Sequence, residues 1–205
     1  MQVRHETDLT SDTYVKQRAW HKASLPQCPV HLAGGCGLAR HGTYERATPP
    51  GVRVARWYCR KARQTFSALP DFLAARLRGT LQEIEAVVVA SEQGRSLEVV
   101  AGDLRRDIEL PGALRWLRRR RKRISVTLLA AVTLVPGLAG CEATICGVRK
   151  RLDTTSVLTM LRQLLEGQLS QLASPVGFAH RSLQLTRPRK RLQHKAGTDP
   201  PTRKG

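Results

Sequence analysis

Three cysteines and one histidine in the amino-terminal third are residue types that bind zinc. Cys28 and His31 have the spacing of a zinc knuckle, and Cys59 follows a segment that alternates as a strand does. Zinc in structural sites takes about four Cys or His ligands in a tetrahedron, commonly from two such knuckles. The sequence therefore predicts that residues 28–73 fold around a zinc ion.

The fourth ligand is harder to place, because the second knuckle lacks its usual partner. Position 62 is Ala and position 64 is Gln, so either Cys36 or His41 must complete the tetrahedron, or the site has lost its metal. Thiolate is the stronger zinc ligand, and the glycines on both sides of Cys36 allow the backbone to turn towards the site. The expected ligand set is Cys28, His31, Cys36 and Cys59.

These residues are not expected to form a catalytic centre. A catalytic zinc keeps an open position for water and works with a general base, and no Glu stands beside these ligands to serve as that base. We also find no Asp, Asp, Glu set with the spacing that a transposase nuclease domain requires. A non-catalytic protein is therefore expected.

Short strands and turns must hold this site. Four glycines between residues 34 and 42 permit tight turns, and residues 52–58 alternate as a strand does. Such a segment is too small to bury a core of its own, and metal bonds would supply the missing folding energy. We expect a small zinc-ribbon-like β unit at residues 28–73, preceded by a flexible leader over residues 1–27.

Three helical patterns follow this unit. Thr80 and Glu83 have the spacing of a capping box, Ser96 can cap a second helix, and Pro111 suits the first turn of a third. Three short helices with short connections are typical of a helix-turn-helix unit, which we predict for residues 74–123. Any small three-helix bundle is the alternative. The expected fold class is mainly α, with a small β unit at the amino terminus and a trihelical centre.

Six consecutive cations, Arg118 to Arg123, close the trihelical unit. Six neighbours cover the whole circumference of a helix, so part of the run must face solvent or anions, and none is expected in the core. The net charge of +19 at pH 7 attracts polyanions, and an aromatic content of 4% disfavours a stacking platform for single strands. Duplex DNA is thus the expected partner. The candidate DNA-binding residues are Arg115, Trp116, Arg118, Arg119, Arg120, Arg121, Lys122 and Arg123.

Residues 124–141 are uncharged and follow a cationic run, which is also the pattern of a membrane anchor. Polar residues and Pro136 within this segment favour a core helix that ends at Pro136-Gly137. Cys141 and Cys146 are expected to be ordinary buried thiols. The runner-up function is a membrane-associated or scaffold protein, in which the cations bind lipid headgroups and residues 124–135 insert.

A leucine-rich helix is expected to begin near Thr154 or Thr155 and to pack onto the preceding helix, with a homodimer as the alternative. We therefore expect C-terminal helices over residues 124–175 and a basic, disordered tail over residues 176–205. Five cysteines without a regular framework suit the cytoplasm, and the first 17 residues lack the apolar core of a secretory signal.

Several motifs occur together between residues 28 and 121: CPxH, RHGTYER, a strand ending in RWYC, TFSALPDFLAARL and LRWLRRR. This combination resembles the small zinc-ribbon and helix-turn-helix proteins associated with bacterial insertion sequences and transposases. The resemblance implies a bacterial, cytoplasmic DNA-binding protein of a mobile element, with a transposase as a further partner. It also implies a second-knuckle Cys near positions 62 to 64, which this chain lacks.

Overall fold

The computed structural model describes residues 1–104 and 110–179, where it shows a four-stranded sheet and six α-helices. The strands are β1 (Gln2–His5), β2 (Leu38–Glu45), β3 (Arg53–Cys59) and β4 (Gln64–Pro70). The helices are α1 (Ser11–Lys16), α2 (Leu81–Glu92), α3 (Leu97–Leu104), α4 (Leu110–Leu134), α5 (Ile145–Leu152) and α6 (Val157–Leu164). The fold is therefore mixed, with helices and a sheet both contributing to it.

The sheet has the strand order β1-β4-β3-β2. Strands β2, β3 and β4 form an antiparallel meander within residues 28–73, and β1 adds a parallel strand that pairs Gln2 with Ser67. The β2–β3 register shifts between Arg40 and Thr43, where Gly42 has a φ of +92°. This irregularity bends the edge strand that follows the candidate metal ligands.

Residues 1–27, expected to be a flexible leader, are part of the folded structure, so that prediction is wrong. Besides contributing β1, this segment buries Tyr14 and Trp20, which are 0% and 7% exposed. The ring of Tyr14 meets the ring of Phe72 edge-on at 5.3 Å. The segment has no sustained apolar period because it is anchored by single aromatic residues in one-turn helices, which leave no periodic signal in the sequence.

One hydrophobic core joins the sheet to the helices. Val54 and Leu69 from the strands pack in the same cluster as Leu81 and Ile84 of α2 and Leu158 of α6. Helices therefore cover one end of the meander. No core boundary separates residues 28–73 from the residues that follow them.

Helix α4 runs without a break through the boundary that we expected between residues 123 and 124. Its first half packs Ala113 and Leu117 against α2 and α3, and its second half buries Ile124, Leu128 and Ala131 in the main core. The expected core helix over the uncharged segment is therefore present as the continuation of the third helix. Among the helices of the described residues, none is long and apolar enough to cross a membrane.

The capping residues predicted for the first two helical patterns are present, whereas the predicted start of the last helix is displaced. The Thr80 hydroxyl accepts from the Glu83 amide at 3.1 Å while the Glu83 carboxylate accepts from the Thr80 amide at 2.7 Å, so the capping box is confirmed. The Ser96 hydroxyl accepts from the Val99 amide at 3.3 Å. The last helix begins after Ser156 rather than after Thr154 or Thr155.

Two carboxylates of α2 hold the amino-terminal ends of α5 and α6. Glu92 accepts from the amides of Ile145 and Cys146 at 2.9 and 3.0 Å. Glu85, which is 3% exposed, accepts from the Leu158 amide at 3.0 Å and from the Arg149 guanidinium at 2.8 Å. Negative charge at these positions complements the free N–H groups of a helix start. Tertiary contacts thus supply the cap that α6 lacks locally.

The leucine-rich segment and the residues after it pack inside the chain. Leu158, Leu161, Leu165, Leu169 and Leu172 belong to the main core, whereas Leu164 is 48% exposed. Val176 and Phe178 are buried as well, so the basic tail does not begin at residue 176. The remainder of the expected tail, residues 180–205, lies outside the described residues.

The buried guanidinium of Arg162 connects these parts. It is 0% exposed and donates to the carbonyls of Pro70, Asp71 and Leu73 at the end of β4. It also donates to the carbonyls of Pro175 and Val176. Burial lowers the pKa of Arg162 to about 10, which leaves the side chain charged at neutral pH. One side chain therefore fastens α6 and the carboxyl-terminal segment to the sheet.

Replacing Glu85 with Gln tests the role of the α2 carboxylates. The amide keeps the shape but loses the charge that faces the Leu158 amide and the Arg149 guanidinium. We expect the free energy of unfolding to fall by about 1.5–3 kcal/mol, as for other hydrogen bonds to charged groups. Urea unfolding of E85Q measures the change. Glu98→Gln on the exposed face of α3 is the matched control, and equal midpoints for the two variants would contradict the assignment.

Candidate metal centre

The four predicted metal ligands lie together in the folded chain. The Sγ atoms of Cys28, Cys36 and Cys59 and a ring nitrogen of His31 are all within 4.8 Å of one another. The three cysteines are 2%, 5% and 0% exposed, and His31 is half-buried. This group is close enough to hold a metal ion. His41, the other candidate for the fourth position, is exposed and lies 5.7 Å from the ring of Tyr58.

A glycine-rich loop brings Cys36 to the site. The Gly34 amide donates to the His31 carbonyl at 3.0 Å and begins the reversal of the chain. Gly35 and Gly37 flank Cys36 with φ angles of +66° and +68°, a backbone region that other residues rarely adopt. The sequence argument from these glycines is therefore supported: they give the loop the curvature that points the Cys36 side chain at the cluster.

Cys59 reaches the cluster from the last position of β3. Its sulfur lies 3.5 Å from His31 Nδ1 and accepts a hydrogen bond from the Ala62 amide at 3.3 Å. At the position where a second knuckle would carry another Cys, the chain thus contributes a backbone donor to the sulfur instead of a ligand.

The separations of His31 Nδ1 from two of the sulfurs are those of a tetrahedral zinc site. His31 Nδ1 lies 3.6 Å from Cys28 Sγ and 3.5 Å from Cys59 Sγ. Zinc bonds of about 2.3 Å to sulfur and about 2.0–2.1 Å to nitrogen place S and N about 3.6 Å apart in a tetrahedron. Three thiols and one imidazole also match the soft donors of structural zinc sites. The residues present are compatible with zinc.

The pKa values of the thiols reflect the crowding of the cluster. Burial raises the pKa of Cys28, but hydrogen bonds from the Val30 and His31 backbone and from the His31 ring outweigh it and bring the pKa to about 6. Burial raises the pKa of Cys36, and its neighbours Cys59 and Cys28 raise it further. Several thiolates in one buried site repel one another unless a cation neutralises them. The cluster therefore has the electrostatics of a cation site.

Most of the predicted DNA-binding side chains lie on the solvent side of α4. Arg115, Arg118, Arg119, Arg121 and Lys122 are all exposed. Arg115 bonds back to the Pro111 carbonyl at 3.3 Å, and with Arg119 it lines a groove of 420 Å³ beside Leu77. The exposed members of the basic run form a continuous cationic surface.

Arg120 is an exception, and the prediction that no member of the run lies in the core is wrong for this residue. It is 7% exposed and donates to the Arg78 carbonyl at 3.0 Å. Its guanidinium also stacks on Trp116, 3.6 Å from the ring centroid. A carbonyl and an aromatic face thus hold this guanidinium against the protein. Arg123 is also held internally, since it donates to Ser174 Oγ at 3.0 Å.

The sequence pattern did not single out a second group of cations, which lies directly beside the cysteines. Arg60, Lys61 and Arg63 occupy the turn between β3 and β4, and all three are exposed. The signal was present as three cations in the four residues after Cys59.

Cys141 and Cys146 form no comparable site. Both are half-buried rather than fully buried as expected. The Cys141 thiol donates to the Glu142 carbonyl at 3.4 Å, and the Cys146 thiol lies beside the Glu92 carboxylate. Burial is the main factor that raises the pKa of Cys146. In residues 1–104 and 110–179, the cluster at Cys28 is the only group of three or more such side chains that could hold a metal ion.

Replacing Cys36 and His41 in turn shows which of them is the fourth ligand. We expect C36S and C59S to lower the zinc content of the purified protein from about one ion to well below one, because each removes one thiolate from a closed set of four ligands. H41A should retain full zinc, since His41 lies on the sheet surface. Elemental analysis with a thiol count measures both. Full zinc in C36S together with zinc loss in H41A would contradict the assigned ligand set.

No protein-family model, no curated protein and no solved structure matches this chain. Its function therefore has to be argued from the metal cluster and the charged surfaces of the described residues.

Proposed function

We propose that this chain is a non-catalytic, zinc-stabilised protein that binds duplex DNA. The observation that carries the proposal is the set of exposed cations on α4. The side chains of Arg118, Arg119, Arg121 and Lys122 have no hydrogen-bond or ion-pair partner among the described residues. Cations left without carboxylate partners on a strongly basic chain are the electrostatic footprint of a phosphate-binding surface.

The rigidity of α4 supports this role. The helix is anchored on its opposite side by Leu117, Ile124 and Leu128, which are 0%, 1% and 1% exposed. At about 1.5 Å of rise per residue, residues 118 to 122 present their charges within roughly 6 Å along the helix axis. A surface that is already ordered loses little backbone entropy when it meets a phosphate backbone.

The contacts proposed here position the protein on DNA and do not read its sequence. Arg and Lys bound to phosphates fix orientation, whereas specificity comes from base edges or DNA shape. Trp116 is covered by the guanidinium of Arg120 and is attached to the small core between α2, α3 and α4. We therefore assign Trp116 and Arg120 to holding the helix, and the exposed cations to the phosphates.

Zinc in this proposal has a structural role. Bound by Cys28, His31, Cys36 and Cys59, it would fill its four positions with protein ligands and leave none for a substrate. It would supply folding energy to a meander that is too small to bury a core alone. The chemistry of the site thus agrees with a binding protein rather than with an enzyme.

The association with a mobile element rests on the sequence motifs. The residues HGTYER lie on and just after β2, and RWYC ends β3 at a candidate metal ligand. The resemblance of these motifs to transposase-associated proteins supports a role in the bacterial cytoplasm, with duplex DNA and a transposase as partners.

Attachment to a membrane surface is the second candidate, because Val126 and Leu129 are 49% and 57% exposed beside the cations of α4. Insertion of residues 124–135 as a whole would however remove Ile124, Leu128 and Ala131 from the core. That loss of burial favours DNA. Cell fractionation separates the two functions: recovery with lipid after a high-salt wash would contradict the DNA proposal.

The salt dependence of DNA affinity tests the role of α4. If three of the exposed cations contact phosphates, they contribute about −2.7 to the slope of log K against log salt, or about 40-fold in affinity between about 50 and 200 mM. The variant R118Q/R119Q/R121Q/K122Q, which keeps Arg120 in place, should lose this contribution. Titration of a duplex oligonucleotide at several salt concentrations measures it.

A control with the same loss of charge is K16Q/R18Q/K22Q/K150Q, in which every replaced side chain is exposed and lies outside α4. A slope near zero for the wild type, or equal slopes for the two quadruple variants, would contradict the assignment of α4.

A further inference from the structure

The turn between β3 and β4 presents three cations in a shape that the metal ligands determine. The side chains of Arg60, Lys61 and Arg63 are exposed and have no hydrogen-bond or ion-pair partner in the part of the chain that the structure describes. Surface turns with scattered charge are common, so exposure alone does not make a site. What distinguishes this turn is how its backbone is held.

Two candidate metal ligands bond directly to the backbone of the turn. The Ala62 amide donates to Cys59 Sγ at 3.3 Å, and the Lys61 amide donates to the Cys36 carbonyl at 3.3 Å. The Arg63 amide donates to the Arg60 carbonyl at 3.2 Å and closes the turn, with Arg63 itself at a φ of +50°. Lys61 and Ala62 are therefore positioned by the cluster, and the bond between Arg60 and Arg63 holds the ends of the same turn.

Gly37 extends this connection to a side chain. A β-carbon at position 37 would lie 3.4 Å from Cδ of Arg60, so the Arg60 side chain passes close over the glycine backbone next to Cys36. Gly37 also needs its positive φ of +68° to place Cys36 in the cluster. The loop that positions Cys36 therefore also contacts the aliphatic part of the Arg60 side chain.

We infer that Arg60, Lys61 and Arg63 form a second site for the phosphate backbone of DNA, and that bound metal keeps the site in its binding shape. The inference rests on the DNA-binding function proposed above. In this inference DNA is the partner of a second surface, separate from α4, and the metal centre contributes to DNA binding. Two separate rows of cations on one folded chain contact more phosphates than either row alone.

Neutralising the turn tests its contact with DNA. The full-length variant R60Q/K61Q/R63Q should lose about 0.9 in salt slope for each phosphate contact, or about 2.7 for three. Raising salt from about 50 to 200 mM should then weaken the wild type about 40-fold more than the variant. The control K16Q/K22Q/K150Q removes three other exposed charges and should keep the wild-type slope.

The outcomes separate the two proposals. If the wild type binds duplex DNA, the α4 variant weakens binding and the turn variant matches its control, then the inference about the turn is overturned while the proposed function stands. If the wild type has no salt-dependent affinity, both are overturned. Zinc content and thermal unfolding equal to wild type show that the turn variant is folded.

Chemical modification of the wild type tests the link to the metal without any substitution. In the zinc-loaded protein, duplex DNA should protect Lys61 from acetylation several-fold while Lys16 on α1 remains reactive, as measured by mass spectrometry. Removing zinc with a chelator should abolish the protection of Lys61. Equal modification of Lys61 with and without DNA, or protection that persists without zinc, would overturn the inference.

Discussion

A three-stranded meander of this size cannot bury a core by itself, and the rest of the structure follows from the two ways in which its ends are closed. At one end Val54 and Leu69 pack into the helical core. At the other end Phe66 packs with Cys28, Cys36 and Cys59 in a cluster to which none of the described helices contributes a residue. Burial of apolar area stabilises the first end, and a set of soft metal ligands occupies the second.

Local features of this chain were predictable where one short stretch carries the whole signal. The capping box at Thr80 and the glycines around Cys36 depend on neighbours within a few residues, and both agree with the structure. Features that depend on distant partners were not. The start of α6 is held by Glu85 from α2, and Tyr14 is buried by Phe72, so neither the start of α6 nor the folded leader has a signal in the neighbouring sequence.

The basic run shows the same limit within a single motif. Its six cations suggest a uniform surface, but the helix turns about 100° per residue and directs Arg120 inward, to the Arg78 carbonyl and the Trp116 ring. Sequence alone indicates the helical period but not which residues face the core. That orientation is set by Leu117 and Ile124, which pack against other elements. The metal ligands were easier to predict, because they lie in adjacent loops and at one strand end and do not depend on the orientation of a helix.

Different forces hold the two cationic surfaces in place. Helix α4 is fixed by apolar packing, while the turn after Cys59 is fixed by bonds to the sulfur of Cys59 and the carbonyl of Cys36. Arg162 joins the end of β4 to the carboxyl-terminal segment, so the sheet and the helices are fastened to one another. If the turn and α4 bind phosphates as proposed, loss of metal would act on the turn alone, because the apolar packing that orients α4 involves none of the candidate metal ligands.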